Sequence, residues 1–126
     1  MNITFSAEEL AFRDEVRAFL SENWTEDLAT RIRGLDDEFK AAQIEWQNKL
    51  NDKGWLAPGW PVEQGGVDWS VTENFIFETE RSLAGAPDVV PFGLKMVAPV
   101  IYGFGSDEQK KRFLPRILKS EDWWCQ

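Results

Sequence analysis

Apolar and polar residues follow a helical period along most of this chain. Phe12, Val16, Phe19 and Leu20 recur at i, i+4, i+7 and i+8 and predict a helix ending near Asn23. Its start is marked by Ser6-Ala-Glu-Glu9, which has the form of a capping box, with Phe5 and Leu10 at the two positions of a hydrophobic staple. Residues 24–34 are mixed and read as a loop with a short turn. Phe39, Ala42, Trp46 and Leu50 then restore the helical spacing, and Gly54 suits the position just past a helix end. Asp36-Asp37-Glu38 lies where a helix dipole favours acids; that explains the run better than a metal site does.

The periodicity fails in Gly54-Trp-Leu-Ala-Pro-Gly-Trp-Pro-Val-Glu-Gln-Gly-Gly66. Its prolines and glycines forbid a helix or a central strand. Trp55, Leu56, Trp60 and the following Trp69 are nevertheless too apolar for a free loop. The segment is expected to fold back and bury its rings, either as a plug of the core or as a wall facing a ligand. Ser70-Val-Thr-Glu73 is a second capping box. On the helix it opens, Val71, Phe75, Thr79 and Ser82 make one face, with Ile76 and Leu83 beside it. Phe77 points the other way, which predicts cover on two sides, with the Phe77 side bare in this chain alone. Glu73, Glu78 and Glu80 read as a solvated charge set rather than as an acid–base pair.

The last third is organised around a run almost free of charge. Between Asp88 and Asp107 the only charged side chain is Lys95. This predicts a helix from Asp88 or Val89, buried on most sides. Val89, Phe92, Gly93, Met96, Val97 and Val100 share one broad face, and Pro99 should kink or interrupt the helix near residues 95–97. Gly93 in a helix interior makes sense if something packs closely there, either another helix or a thin ligand. Ser106-Asp-Glu-Gln109 is a third capping box. Phe113, Ile117 and Leu118 form the apolar side of the helix it opens, and Pro115 predicts two short helices rather than one. Gly103-Phe-Gly105 is not a dinucleotide loop, since Glu108 takes the third glycine position and no strand precedes it.

The elements therefore predict an all-α helical bundle of four to six helices with one long Trp/Pro/Gly-rich loop. The chain of 126 residues is long enough for a core of its own, and 43% hydrophobic with 13% aromatic content excludes disorder. A net charge of −8 argues against nucleic acid and anionic membrane as partners. No signal peptide or membrane span is visible, so cytoplasmic localisation is the expectation. The chain has no His, which removes Ser-His-Asp and Cys-His nucleophile systems and His-bearing metal motifs from its own residues. One Cys excludes an internal disulfide.

Three blocks carry a resemblance: the loop Gly54 to Gly66, then Met96-Val-Ala-Pro-Val-Ile101, then Phe104-Gly-Ser-Asp-Glu-Gln-Lys-Lys-Arg-Phe-Leu-Pro115. Together they resemble the amino-terminal helical domain of acyl-CoA dehydrogenases, over nearly the whole chain. Trp123-Trp-Cys-Gln126 is similar to the start of that family's first strand, just before its flavin loop. The resemblance implies a helical domain over residues 1–122 and the opening of a β-domain at 123–126. It further implies an enzyme that takes two hydrogens from Cα and Cβ of an acyl-CoA thioester. FAD would be its cofactor, an electron-transfer flavoprotein its acceptor, and a homo- or hetero-oligomer its assembly. The family's catalytic base lies further along the chain than these blocks, so the resemblance assigns no catalytic residue here and no metal. It does match Gln126 to a position that approaches the flavin ring. It also places Phe92, Gly93 and Met96 on the helix that walls the acyl chain. By the same reasoning this stretch alone is expected to be inactive. The alternatives are a stand-alone helical interaction module, or an acyl-chain binder without redox chemistry.

Overall fold

A computed structural model describes residues 4–34 and 37–126. Among the described residues the chain is all-helical. The order is α1 (Ala7–Asn23), α2 (Glu26–Gly34), α3 (Phe39–Lys53), a 3₁₀ turn (Val62–Gln64), α4 (Val71–Leu83), a π-helical segment (Phe92–Val97), α5 (Ala98–Phe104) and α6 (Asp107–Leu118). All three capping boxes form: Ser6, Ser70 and Ser106 each accept from the backbone N–H three residues on, and Glu9, Glu73 and Gln109 reach back. Gly54 closes α3 at φ 81°, in the left-handed region that favours glycine. Asp36 lies outside the described residues.

The core is aromatic. Trp46 is wholly buried and donates its indole N–H to the Pro87 carbonyl. Trp55 lies edge-on to Phe12, Phe19, Trp69 and Phe77, with centroids 5.2–5.8 Å apart, a geometry that adds to the burial of the rings. These rings come from α1, α4 and the loop, so the loop fills the space between helices. Trp55, Leu56, Ala57 and Trp60 are all buried, which agrees with the expectation that the segment folds back. Its return needs Gly66, because a Cβ there would stand 1.7 Å from the Trp60 carbonyl oxygen.

Four expectations are overturned. Residues 26–34 form a helix, not a loop. Thr25 Oγ1 accepts from the Leu28 N–H, Arg31 ties Asp27 to Glu45 of α3, and Leu28, Ala29 and Ile32 are buried. So short a stripe carries too little periodicity to be read alone, and packing on α3 stabilises it. On α4 the assignment of faces is reversed. Phe77 is 4% exposed against Trp55 and Trp69, while Val71, Phe75 and Leu83 are 88%, 60% and 75% exposed. Periodicity gives the angle between two apolar stripes and not which of them meets the core. Pro115 sits inside a single helix, on its exposed side. Only one backbone N–H is lost there, and burial of Leu114 and Ile117 holds the turn together.

The fourth concerns the charge-free run. Helical structure starts at Pro91 rather than Asp88, and residues 88–90 have no regular secondary structure. Pro99 interrupts the α pattern as foreseen, but the interruption is a π-helical segment (Phe92–Val97) that runs on into α5. The changed register buries Gly93, Leu94 and Ala98, and leaves Met96, Val100 and Phe104 exposed. The run is thus bare along one side rather than buried on most. Replacing Trp46 with Ala should cost about 3–5 kcal/mol, read as a lowered urea midpoint. An unchanged midpoint would show that this ring is not the centre of the core.

Candidate functional site

Three side chains of α3 hold the segment that leads into the π turn. Gln43 donates to the Asp88 carbonyl at 3.0 Å, Trp46 to the Pro87 carbonyl at 3.1 Å, and Gln47 accepts from the Val90 N–H at 2.8 Å. Gln47 also donates to Ser120 Oγ at 2.8 Å, and so joins the start of the π segment to the end of α6. Backbone outside a helix has no helical partners of its own, and these bonds satisfy it here. Gln43, Gln47 and Ser120 are the buried polar residues among the described ones, and sequence reasoning did not single them out. The available signal was two glutamines flanking the apolar 42-46-50 stripe of a helix.

Gly93 faces Trp124 and Ile117. A Cβ on it would meet Trp124 Cδ1 at 3.0 Å and Ile117 Cγ2 at 3.3 Å. A neighbouring element occupies this face of the glycine: α6 and the segment after it use its thinness. Trp124 also lies edge-on to Phe113, and Lys40 of α3 sits 5.3 Å above the Trp123 ring. Residues 123–126 have no regular secondary structure. The two rings nevertheless anchor them to the helices, and Gln126 is exposed at the end.

Of the four candidate residues, Gly93 is buried in this contact, Phe92 is half-buried, Met96 is 48% exposed, and Gln126 is exposed. Phe92 and Met96 stand four residues apart, about one turn, on the π segment. Gly93 connects that segment to Trp124, two residues before Gln126. Two apolar recesses flank the same stretch. One, of about 250 Å³, lies between the loop and the helix, with Leu56, Trp60, Leu94 and Tyr102 in its wall. The other, of about 300 Å³, lies between α5 and α6, with Val97, Ile101, Phe113 and Trp124 in its wall.

Lys95, the one charge of the run, pairs with Asp88. Burial raises the Asp88 carboxyl, but the hydrogen bonds from Lys95 and the Val89 N–H outweigh it and hold the group below its ordinary range. Asp122 is likewise held low by hydrogen bonds from the Arg116 guanidinium. Among the described residues no cluster of metal-ligating side chains occurs, and no helix is long and apolar enough to cross a membrane.

This arrangement, a helical domain with a helix of a single charge, Lys95, against an aromatic loop, matches a known family. The family description "Acyl-CoA dehydrogenase, N-terminal domain" matches residues 6–121. The chain belongs to the acyl-CoA dehydrogenase family, through that domain. It is similar to acyl-CoA dehydrogenase IpdE1 of Mycolicibacterium smegmatis, 39% identical over 121 residues covering 91% of this chain and 31% of that protein. It is also similar to acyl-CoA dehydrogenase FadE26 of Mycobacterium tuberculosis, 36% identical over 124 residues, covering 96% and 30%. Among solved structures, the ChsE4-ChsE5 complex of Mycobacterium tuberculosis superposes with a TM-score of 0.76 at 33% identity, over 96% of this chain and 30% of that one. The chain therefore spans about 30% of the length of the relatives it matches.

Two outcomes follow from this geometry. Gly93→Val should displace Trp124, cost about 1–3 kcal/mol, and speed hydrogen exchange at the Trp124 indole N–H, which is buried in this packing; unchanged exchange there would contradict the contact. The depressed Asp88 carboxyl contributes stability that is fully present above its unfolded value of about 3.9. That contribution is lost as pH falls through the lower folded value. Asp88→Asn should therefore lower the urea midpoint at pH 6, and by progressively less as the pH is brought below the unfolded value.

Proposed function

We propose that this chain is the helical domain of a flavin-dependent acyl-CoA dehydrogenase, and that its π segment forms part of the wall along the acyl chain. The observation that carries the reading is the stretch from Val89 to Ser106, whose single charge, Lys95, is paired with Asp88. An acyl chain needs such a surface, because any unpaired charge facing it would lose its hydration. Half-buried Phe92 and exposed Met96 offer the apolar contacts. Gly93 acts through Trp124, letting that ring seat closely so that the segment ending in Gln126 lies beside the wall.

FAD, the cofactor of this reading, supplies the hydride acceptor when bound. The chain's own residues fit one edge of its ring system. Gln126 carries an exposed carboxamide with both a donor and an acceptor. The indole N–H of Trp124 is buried without a protein partner. The net charge of −8 gives no general attraction for the cofactor's phosphates. Residues 1–122 are read as the helical domain, and 123–126 as the lead into a β-domain. The exposed Val71, Phe75 and Leu83 of α4 are read as the surface where another chain of a homo- or hetero-oligomer packs. An electron-transfer flavoprotein is the acceptor that fits such an enzyme, and the cytoplasm its location.

The test is binding of lauroyl-CoA against free CoA, followed by tryptophan fluorescence. Acyl-dependent binding at least tenfold tighter than CoA alone is expected, and Met96→Glu should abolish the difference. Equal binding of the two ligands would remove the acyl-wall reading. Titration of FAD should give no stoichiometric complex at micromolar concentration, and an acyl-CoA series with an artificial acceptor no turnover. A tight complex would show that the helical domain holds more of the flavin site than Gln126 and Trp124.

A further inference from the structure

The Leu94 carbonyl has no partner within its own helix. In α register it would accept from the Ala98 N–H, and in π register from residue 99. The Ala98 N–H goes to the Gly93 carbonyl, and residue 99 is proline, which has no N–H. Leu94 is buried, so an unpaired carbonyl there is costly. Its partner comes from the loop: the Trp60 indole N–H donates to it at 2.8 Å. The ring is itself buried and lies 6.0 Å from Tyr102 of α5.

We infer that Trp60 is a positioning residue that fixes the register of residues 92–97, by supplying the Leu94 carbonyl with the donor that Pro99 lacks. Without it, Leu94 recovers a partner by drawing the Ala98 N–H away from Gly93, which converts the π turn to an α turn. Removing one residue from a turn rotates everything before it by about 100° relative to α5. Gly93 would then leave Trp124 and Ile117, and a residue with a side chain would enter a gap that admits a Cβ only at 3.0–3.3 Å. Phe92 and Met96 would turn with it. Trp60 thus sets which side chains face the acyl wall and how Trp124 is seated. The consequence for the wall rests on the function proposed above; the register itself rests on the hydrogen bonds alone.

Trp60→Phe keeps a ring in place and removes the donor. The urea midpoint should fall, and by less than half as much when Pro99→Ala is also present, because residue 99 then brings an N–H of its own. A fall of equal size in both backgrounds would overturn the inference, since loss of packing alone does not depend on a donor at residue 99. A crystal structure of Trp60→Phe should show the Ala98 N–H on the Leu94 carbonyl; an intact π turn with Gly93 still against Trp124 would overturn it. If Trp60→Phe does not fold, Pro99→Ala alone serves. The Trp60 indole proton should then exchange with deuterium at least tenfold faster, as a backbone donor competes for Leu94, and unchanged protection would be the contrary result. A shifted register with unchanged lauroyl-CoA binding would support the inference and count against the acyl wall instead.

Discussion

One carbonyl with no helical partner constrains much of this molecule. A proline in a helix interior removes a donor and crowds the turn before it. Here the relief is a π turn, which leaves Leu94 dependent on a side chain from another element. That dependence gives the irregular loop its purpose. Trp60 must reach Leu94, so the chain from Gly54 must run under the helix and return through a turn so tight that only glycine fits at residue 66. The same register delivers Gly93 to Trp124. Loop, π turn and final segment are therefore parts of one arrangement, although nearly seventy residues of sequence separate its ends.

Two kinds of interaction divide the work. Burial of apolar side chains, with aromatic rings from α1, α3, α4 and the loop at its centre, is tolerant of direction. The polar bonds from Gln43, Gln47 and Trp60 are few and directional. They fix where the irregular and π-helical backbone lies, which apolar contact alone cannot do. Buried glutamines are stable here because both polar ends of Gln47 are paired, one to Val90 and one to Ser120. A half-satisfied network at this position would be worse than an apolar one.

The bare apolar surfaces have separate sources. On α4, Val71, Phe75 and Leu83 point away from the core because Phe77 and Ile76 point into it. On the last third, Met96, Val100 and Phe104 are left outside by the π register. Surfaces of this kind mark contact with other protein or with ligand, and both fit a chain that spans about 30% of its relatives' length.

Local chemistry was legible in the sequence wherever a few adjacent residues decide the outcome. Ser6, Ser70 and Ser106 with their partners three residues on fixed three helix starts, Gly54 fixed an end, and the mix of Trp, Pro and Gly fixed an ordered loop. Each depends on hydrogen bonds or dihedral limits within one turn of chain. Family resemblance was legible for the same reason, since it is carried by contiguous blocks. Everything that depends on which faces meet was decided by the tertiary structure. Periodicity could not tell the Phe77 side of α4 from the Phe75 side, because both stripes are apolar and only contact with Trp55 and Trp69 separates them. Pro99 announced an interruption, but its form depended on a donor from residue 60. Gly93 announced a close approach, and only the packed chain identified the neighbour as Trp124. In each case a deciding partner (Trp55 for Phe77, Trp60 for Pro99, Trp124 for Gly93) lies some twenty to forty residues away, where no local pattern records it.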